Sequence, residues 1–249
     1  MTRKAIDLNA DLGEGEPHDE LLLSIVSSCN IACGGHAGDA ASMTRTVRLA
    51  DRHGVTLGAH PSYPDREGFG RRSHFMNGGA LLESLTQQIE SLAAICKQES
   101  VVLSTLKPHG ALYNDARASD ELAAMLVQLA AQFGLRLIGL PGSATQQAAE
   151  QNGVGFLAEG FVDRAYLADG SLCPRDRSGA VFDDISIAAD QALRLAKGRS
   201  VSSIDGEAIH IDVDTLCLHG DTPNAEKTAR AVQSQLAEAG ISIQAPGHA

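Results

Sequence analysis

Two hydrophobic rhythms alternate along the chain. Short runs rich in aliphatic and β-branched residues are followed by longer segments in which apolar residues recur every three or four positions. The first rhythm predicts strands and the second amphipathic helices, and their alternation predicts βα units around a parallel sheet. Strands are predicted at Ala5–Asn9, Ser28–Ala32, Val55–Ala59, Val102–Lys107, Leu135–Leu140, Gly155–Glu159 and Asp214–Leu218. The clearest helix is Gly79–Gln98, with Leu82, Leu85, Ile89, Leu92 and Cys96 on one stripe. Asp120–Phe133 has Ser119 at its N-cap and Gly134 at its C-cap. Asp39 caps a helix that buries Met43, Val47 and Ala50 and closes at Gly54, and Ser143 caps Ala144–Gln151. Thr222-Pro223 is predicted to open the last helix, as a cap followed by proline at the first helical position. Ser200–Ile211, with Asp205-Gly206 between alternating apolar runs, predicts an inserted hairpin. The tail from Gly240 to Pro246 is a further strand or a surface extension.

Composition narrows this without redirecting it. The chain has 249 residues, 43% of them hydrophobic, with no linker and no break in composition, so one domain is predicted over its full length. A net charge of −11 excludes a general phosphate-backbone binder, so no nucleic-acid partner is expected. No apolar run approaches a membrane span, and the opening MTRKAIDLNADLGE has no secretory apolar region. The five cysteines, at 29, 33, 96, 173 and 217, are scattered and odd in number, which fits a reducing compartment. A soluble cytoplasmic protein is expected.

Chemistry gathers where the strands end. Asn9, Asp11 and Glu14 follow the first strand, His36 and Asp39 the second, and His60 and Asp65 the third. Lys107 and His109 follow the fourth, Glu159, Asp163 and Arg164 the sixth, and His219 and Asp221 the last. In a parallel barrel or doubly wound sheet these ends share one face, where active sites are built. Any one of them is explained as a helix cap or a backbone partner, Asp39, Asp115 and Asp221 especially. Charged or imidazole groups at six strand ends together predict a cavity. The chain has no P-loop, no nucleophile elbow and no H-E-x-x-H helix. Carboxylates with imidazoles fit general acid–base activation of water, with or without a metal. Lys107 either stabilises a developing oxyanion or makes a salt bridge to Asp11 or Glu159. In CNIACGGHAGD (29–39), the C-x-x-x-C pair has no partner pair at zinc spacing. Cys29 is therefore assigned to packing, His36 to the cavity and Asp39 to the cap.

Six motifs spanning nearly the whole chain carry a resemblance: IDLNADLGEG (6–15), NIACGGHAGD (30–39), GAHPSYPDREGFGRR (58–72), LKPHGALYN (106–114), AEGFVDRAY (158–166) and DTLCLHGDTPNA (214–225). In combination they resemble the lactam-utilisation (LamB/YcsF) family, that of the A subunit of 5-oxoprolinase. The family pattern has phenylalanine where Gly35 stands, a change assigned to the pocket wall. The resemblance implies a TIM-like (β/α) barrel of seven strands, related to carbohydrate deacetylases. It implies an ATP-dependent amidohydrolase that opens 5-oxoproline to L-glutamate together with partner subunits B and C. Lacking a P-loop, the chain is expected to share nucleotide handling with those partners. Expected roles are Asp11 or Glu159 as general base, Lys107 at the oxyanion or phosphoryl oxygens, and His60 or His109 as proton donor to the leaving nitrogen. Arg71, Arg72 or Arg164 pairs with the substrate carboxylate, and Asn9, His36, Asp163 and His219 complete the binding set. The related deacetylases hold a divalent ion with an aspartate and an H-x-x-x-H pair. Here the metal candidates are Asp11, His60 and, for the histidine missing at that spacing, His36. The alternatives are a stand-alone metal-dependent deacetylase or amidase of the same fold, and a non-catalytic subunit that binds a small acid.

Overall fold

The computed structural model describes residues 3–247, apart from Phe75 and Pro223. The chain runs β1 (Ala5–Leu12), α1 (Asp19–Leu23), β2 (Ser28–Ala32), α2 (Ala40–His53), β3 (Thr56–His60), α3 (Gly78–Gln98), β4 (Leu103–Leu106) and α4 (Gly110–Ala116). It continues through α5 (Asp120–Phe133), β5 (Arg136–Gly139), α6 (Ala144–Gln151), β6 (Phe156–Phe161) and α7 (Ile185–Ala196). The last elements are β7 (Val201–Ser202), β8 (Ala208–Ile209), β9 (Thr215–His219), α8 (Ala225–Glu238) and β10 (Ser242–Ile243).

Seven of these strands, β1 to β6 and β9, form a closed parallel barrel with the helices outside it. The seam is β1 against β9, with Asp7 beside Thr215 and Asp11 beside His219. The tail contributes β10, parallel to the start of β1, with Ser242 beside Ala5. The 201–209 segment is an antiparallel pair, Val201 opposite Ile209, turning at Gly206 with φ +88°.

The helix caps follow local chemistry. Asp39 and Ser42 form a reciprocal capping box on α2, and Gly54 ends the helix with φ +66°. Ser119 and Ser143 cap α5 and α6 through their side chains. The last helix departs from expectation. Its N-cap is Asn224, and the Thr222 carbonyl accepts from Ala225 N–H (3.1 Å) in the turn before it. Thr222 is therefore a turn residue, and the role expected of Pro223 lies outside the described residues.

Strand periodicity divides the barrel into two environments. On β1, Ile6, Leu8, Ala10 and Leu12 join the apolar core packed under the helices, while Asp7, Asn9 and Asp11 carry the polar contacts inside the barrel. Leu22, Leu85, Ile89 and Leu92 are fully buried in that outer core. Each such side chain contributes roughly 1.5–3 kcal/mol by leaving water. Parallel strands with two apolar faces read as continuous hydrophobic runs. The alternation in IDLNADL arises because this barrel has a polar interior. Gly58 makes room for it, since a Cβ there would collide with Thr105 Oγ1. Among the described residues, no helix is long and apolar enough to cross a membrane.

Candidate active site

The carboxyl ends of the strands surround a cavity of about 650 Å³. Its floor is an ion-pair network. Lys107 Nζ lies 3.0 Å from Asp11 Oδ1, 2.9 Å from Glu159 Oε1 and 3.1 Å from Cys217 Sγ. Asn30 donates to Asp11 Oδ1 (2.9 Å), and Asn9 donates to Glu159 Oε1 (3.1 Å). Burial alone would depress the Lys107 ammonium, but Asp11, Cys217 and Glu159 outweigh it and hold it well above the usual lysine range. Burial likewise opposes ionisation of Asp11, yet the His60 ring and the Lys107 ammonium keep its carboxyl well below the usual range. The floor thus holds a fixed ammonium beside a fixed carboxylate. Asp11 and Lys107 line the cavity, whereas Asn9 and Glu159 are completely buried beneath them. Glu159 therefore has no access to a water in the cavity, and Asn9 none to a substrate.

One wall is a cluster of imidazoles. His36 Nε2 meets Glu14 Oε1 at 2.9 Å, and the His36 ring stacks on His109 with centroids 3.6 Å apart. His36 is wholly buried behind His109 and off the cavity surface, contrary to its expected place as a pocket residue. Burial and the neighbouring His60 pull its pKa down to about 2. His60 donates from Nδ1 to the Lys107 carbonyl (2.8 Å), and His109 donates from Nε2 to the Phe69 carbonyl (2.9 Å). The remaining nitrogens, His60 Nε2 and His109 Nδ1, face each other at 3.0 Å. Burial and the adjoining His60 and His36 rings hold His109 well below the usual histidine range. Each ring spends one nitrogen on a backbone carbonyl and turns the other toward its neighbour, so neither aims an N–H at the cavity, and the geometry withdraws both from the role of proton donor.

The loop that delivers Phe69 is tightly built. Phe69 adopts φ +53°, a costly conformation for a bulky residue that here aims its carbonyl at His109. The turn closes because Gly70 and Gly110, both at positive φ, let the two segments touch: Ala111 N–H donates to the Gly70 carbonyl (2.9 Å). Gly35, in contrast, is off the cavity. A Cβ there would collide with Ser62 Oγ and Gln88 Oε1, so the phenylalanine of the family pattern has no room beside these two side chains.

The opposite wall carries one histidine with its own carboxylate. His219 Nδ1 lies 2.9 Å from Asp163 Oδ1, and His219 N–H donates to Oδ2 (3.1 Å). Burial opposes ionisation of Asp163, but His219 outweighs it and keeps the carboxyl below the usual range. Asp163 acts through the ring and does not line the cavity, whereas His219 does.

Arginines rim the opening. Arg71 and Arg175 pair with Asp221, the second at 3.9 Å, and Arg117 pairs with Asp169 at 3.1 Å. Buried Arg164 is held by the Cys173 carbonyl (2.6 Å) and the Ala180 carbonyl (3.3 Å). Burial, with Arg175 beside it, brings its pKa down to about 10, which leaves the guanidinium charged at neutral pH. Arg72 is exposed and does not line the cavity.

Of the metal candidates expected from the resemblance, Asp11 and His60 come together, with Oδ2 3.4 Å from Nε2, whereas His36 bonds Glu14. Asp11 is occupied by Lys107 and Asn30, and His36 sits behind His109. Glu14 takes the central place among the three imidazoles instead. Sequence reasoning placed Glu14 at a strand end but missed its part in the site, and it missed Cys217, Arg117 and Arg175 altogether. The first strand's alternation, continued through the Gly13-Glu14-Gly15 turn, was the available signal for Glu14.

Comparison with known proteins agrees with this architecture. A structure described as a lactam utilization protein from Thermus thermophilus superposes with a TM-score of 0.90 at 39% identity, covering 97% of this chain and all of that one. A family 4 carbohydrate esterase from Streptomyces lividans shares the fold at a TM-score of 0.52 and 12% identity, covering 98% of this chain and 93% of that one. A protein of Haemophilus influenzae strain PittEE, named as the A subunit of 5-oxoprolinase, is 41% identical over 97% of this chain and its own whole length. The protein of the same name from Symbiobacterium thermophilum is 43% identical over 98% of this chain and 96% of that one. The LamB/YcsF family model matches residues 6–249, and the chain belongs to that family.

Proposed function

We propose that this chain is the A subunit of an ATP-dependent 5-oxoprolinase, which opens the lactam of 5-oxoproline to L-glutamate with partner subunits B and C. The observation that carries this reading is the buried Asp11–Lys107 pair at the floor of a cavity rimmed by arginines. Relatives that bear the 5-oxoprolinase name over their full length support it. A small lactam that carries a carboxylate matches a cationic rim above a polar floor.

A five-membered lactam is a resonance-stabilised amide with little strain, so its carbonyl carbon is a poor electrophile. Transfer of the γ-phosphoryl group of ATP to the amide oxygen releases ADP and makes that carbon attackable by water. Collapse of the adduct breaks the C–N bond and leaves an acyl phosphate, and a second water hydrolyses that mixed anhydride to glutamate and phosphate. Lys107 stabilises negative charge at the amide or phosphoryl oxygens. Arg164, the rim guanidinium held by carbonyls alone, pairs with the substrate carboxylate, assisted by Arg71 or Arg175. Asp11 fixes Lys107 and orients the water, since a carboxylate held so far below its usual range is a weak base. His219 takes the proton at Nε2, with Asp163 holding Nδ1–H, and returns it to the departing ring nitrogen. ATP is handled with the partner subunits, as the chain has no P-loop.

The test is glutamate formation from 5-oxoproline by the chain mixed with subunits B and C, with and without ATP. Turnover is expected only in the complete mixture. Full-rate, lactam-dependent ATP hydrolysis by the chain alone would refute the division of labour, and a complete mixture that forms no glutamate would refute the assignment. Activity on an acetylated sugar without ATP or partners would transfer the reading to a deacetylase.

A further inference from the structure

The imidazole wall contains an arrangement that the lactam chemistry above does not use. His60 and His109 each spend one ring N–H on a backbone carbonyl, Lys107 O at 2.8 Å and Phe69 O at 2.9 Å. A carbonyl only accepts, so these bonds fix the tautomers and leave two bare nitrogens 3.0 Å apart. Glu14 Oε1 lies 3.8 Å from His60 Nε2 and 3.6 Å from His109 Nδ1. Three electron-rich atoms therefore converge on one point. A proton shared between the rings would satisfy one of these contacts, whereas a cation satisfies all three.

We infer that Glu14, His60 and His109 form a binding site for one divalent transition-metal ion, of which zinc best suits two imidazoles and a carboxylate. A triangle with edges of 3.0, 3.6 and 3.8 Å contains a point about 2.0 Å from every corner, the length of a zinc–nitrogen or zinc–oxygen bond. The carbonyl partners of both rings are the orienting contacts that metal-bound histidines usually carry. Charge agrees as well: Asp11 and Glu159 share the Lys107 ammonium, whereas the ion-pair contacts of Glu14 are to imidazoles. His36 serves as a positioning residue. Its Nε2 holds Glu14 at 2.9 Å, and its Nδ1 has no hydrogen-bond partner among the described residues. His60 and His109 line the cavity, so the open side of the ion would face it, next to Asp11 Oδ2, 3.4 Å from His60 Nε2. A second convergence, Asp11 with Cys217 and His219, carries no such inference because the Lys107 ammonium already contacts Asp11 and Cys217.

The site is read from this chain alone, and its test does not involve glutamate formation, so it stands or falls apart from the lactamase assignment. Full-length chain stripped with chelator would be titrated with Zn²⁺ and with Co²⁺, followed by calorimetry, elemental analysis and the visible spectrum of the cobalt form. The expected result is one ion per chain, with visible cobalt bands of a low-coordinate site. Glu14→Gln and His109→Ala should each weaken binding at least about tenfold, and His36→Ala should weaken it less. Circular dichroism of each variant reports whether the fold is kept, and the wild-type titration is decisive even if a variant unfolds. Absence of saturable uptake by the stripped wild-type chain would overturn the inference in favour of a shared proton. Uptake unchanged in both Glu14→Gln and His109→Ala would overturn it by placing the ion elsewhere.

Discussion

Asp7 and Asp11 lie four residues apart on β1, both inside the barrel and both buried, and their surroundings shift their acidity in opposite directions. Asp7 is met by hydroxyls, Ser27 Oγ at 2.7 Å, Ser28 Oγ at 2.8 Å and Thr215 Oγ1 at 2.5 Å. Burial dominates there and pushes its pKa up. Asp11 is met by an ammonium and an imidazole, which overcome burial and keep it ionised. The lower layer is a hydroxyl–carboxyl lattice, and the upper layer is an ion-pair network open to a cavity. What a buried carboxylate does is thus decided by the strands across from it more than by its own identity.

Lys107 is where that contrast breaks most severely. Lys107→Met leaves Asp11 and Glu159 buried without their cation, a change worth roughly 3–5 kcal/mol when one partner of a buried pair is lost. Glutamate formation in the reconstituted complex should fall by about 10²–10³-fold or more, as for a lost oxyanion donor. Urea unfolding beside the glutamate assay checks both figures. Stability unchanged from wild type would show that the upper layer is not held by charge.

The two aspartates should also answer pH in opposite directions. The stabilisation from Asp11 is present above its unfolded pKa of about 3.9 and is lost as pH falls through its lower native value. Asp7 does the reverse: its contribution is full below about 3.9 and is lost as pH rises through its raised native value. The stability difference between wild type and Asp11→Asn should therefore shrink on acidification. Asp7→Asn should remove a penalty that grows with pH, leaving it as stable as wild type or more so near neutrality. Urea midpoints from about pH 3.5 to about pH 8 test this, and parallel profiles for the two variants would erase the distinction between the layers.

The smallest effect belongs to the rim. Arg164→Gln should raise KM for 5-oxoproline about tenfold, the scale of about 1.4 kcal/mol from one lost charged contact, with kcat changed only a few-fold. Arg72→Ala, outside the cavity, should change neither by more than about twofold. A kcat loss equal to the KM rise in Arg164→Gln would move that guanidinium from binding into the chemistry.

What the sequence made legible was local. The seven barrel strands, the Asp39, Ser119 and Ser143 caps and the polar strand ends each depend on a few neighbouring residues. Lys107 at a strand end was readable, and both its expected partners, Asp11 and Glu159, are present. Glu159's exclusion from the cavity was not readable, because it follows from how deeply β6 sets that residue below Lys107. Arg175 was missed for a related reason. It lies in the long segment between β6 and α7, whose isolated bridges, such as Arg164 with Val181, depend on contacts between loops that carry no periodic signal. Thr222 looked like a cap by residue type alone, but the turn after β9 is longer and the helix starts at Ala225.

The barrel seam has a kinetic consequence. Asp7 and Thr215 are 208 residues apart in the chain, so pairing β1 with β9 closes a loop of nearly the whole protein. Loop-closure entropy makes such a contact slow to form. The same closure brings Cys217 and His219 up to Lys107 and Asp11. Before it, the Asp11 and Lys107 charges remain hydrated, and their attraction is weak in water. The cavity's chemistry is therefore a checkpoint on folding: in a refolding experiment, activity would return no sooner than the seam closes, however early the helices and outer core form.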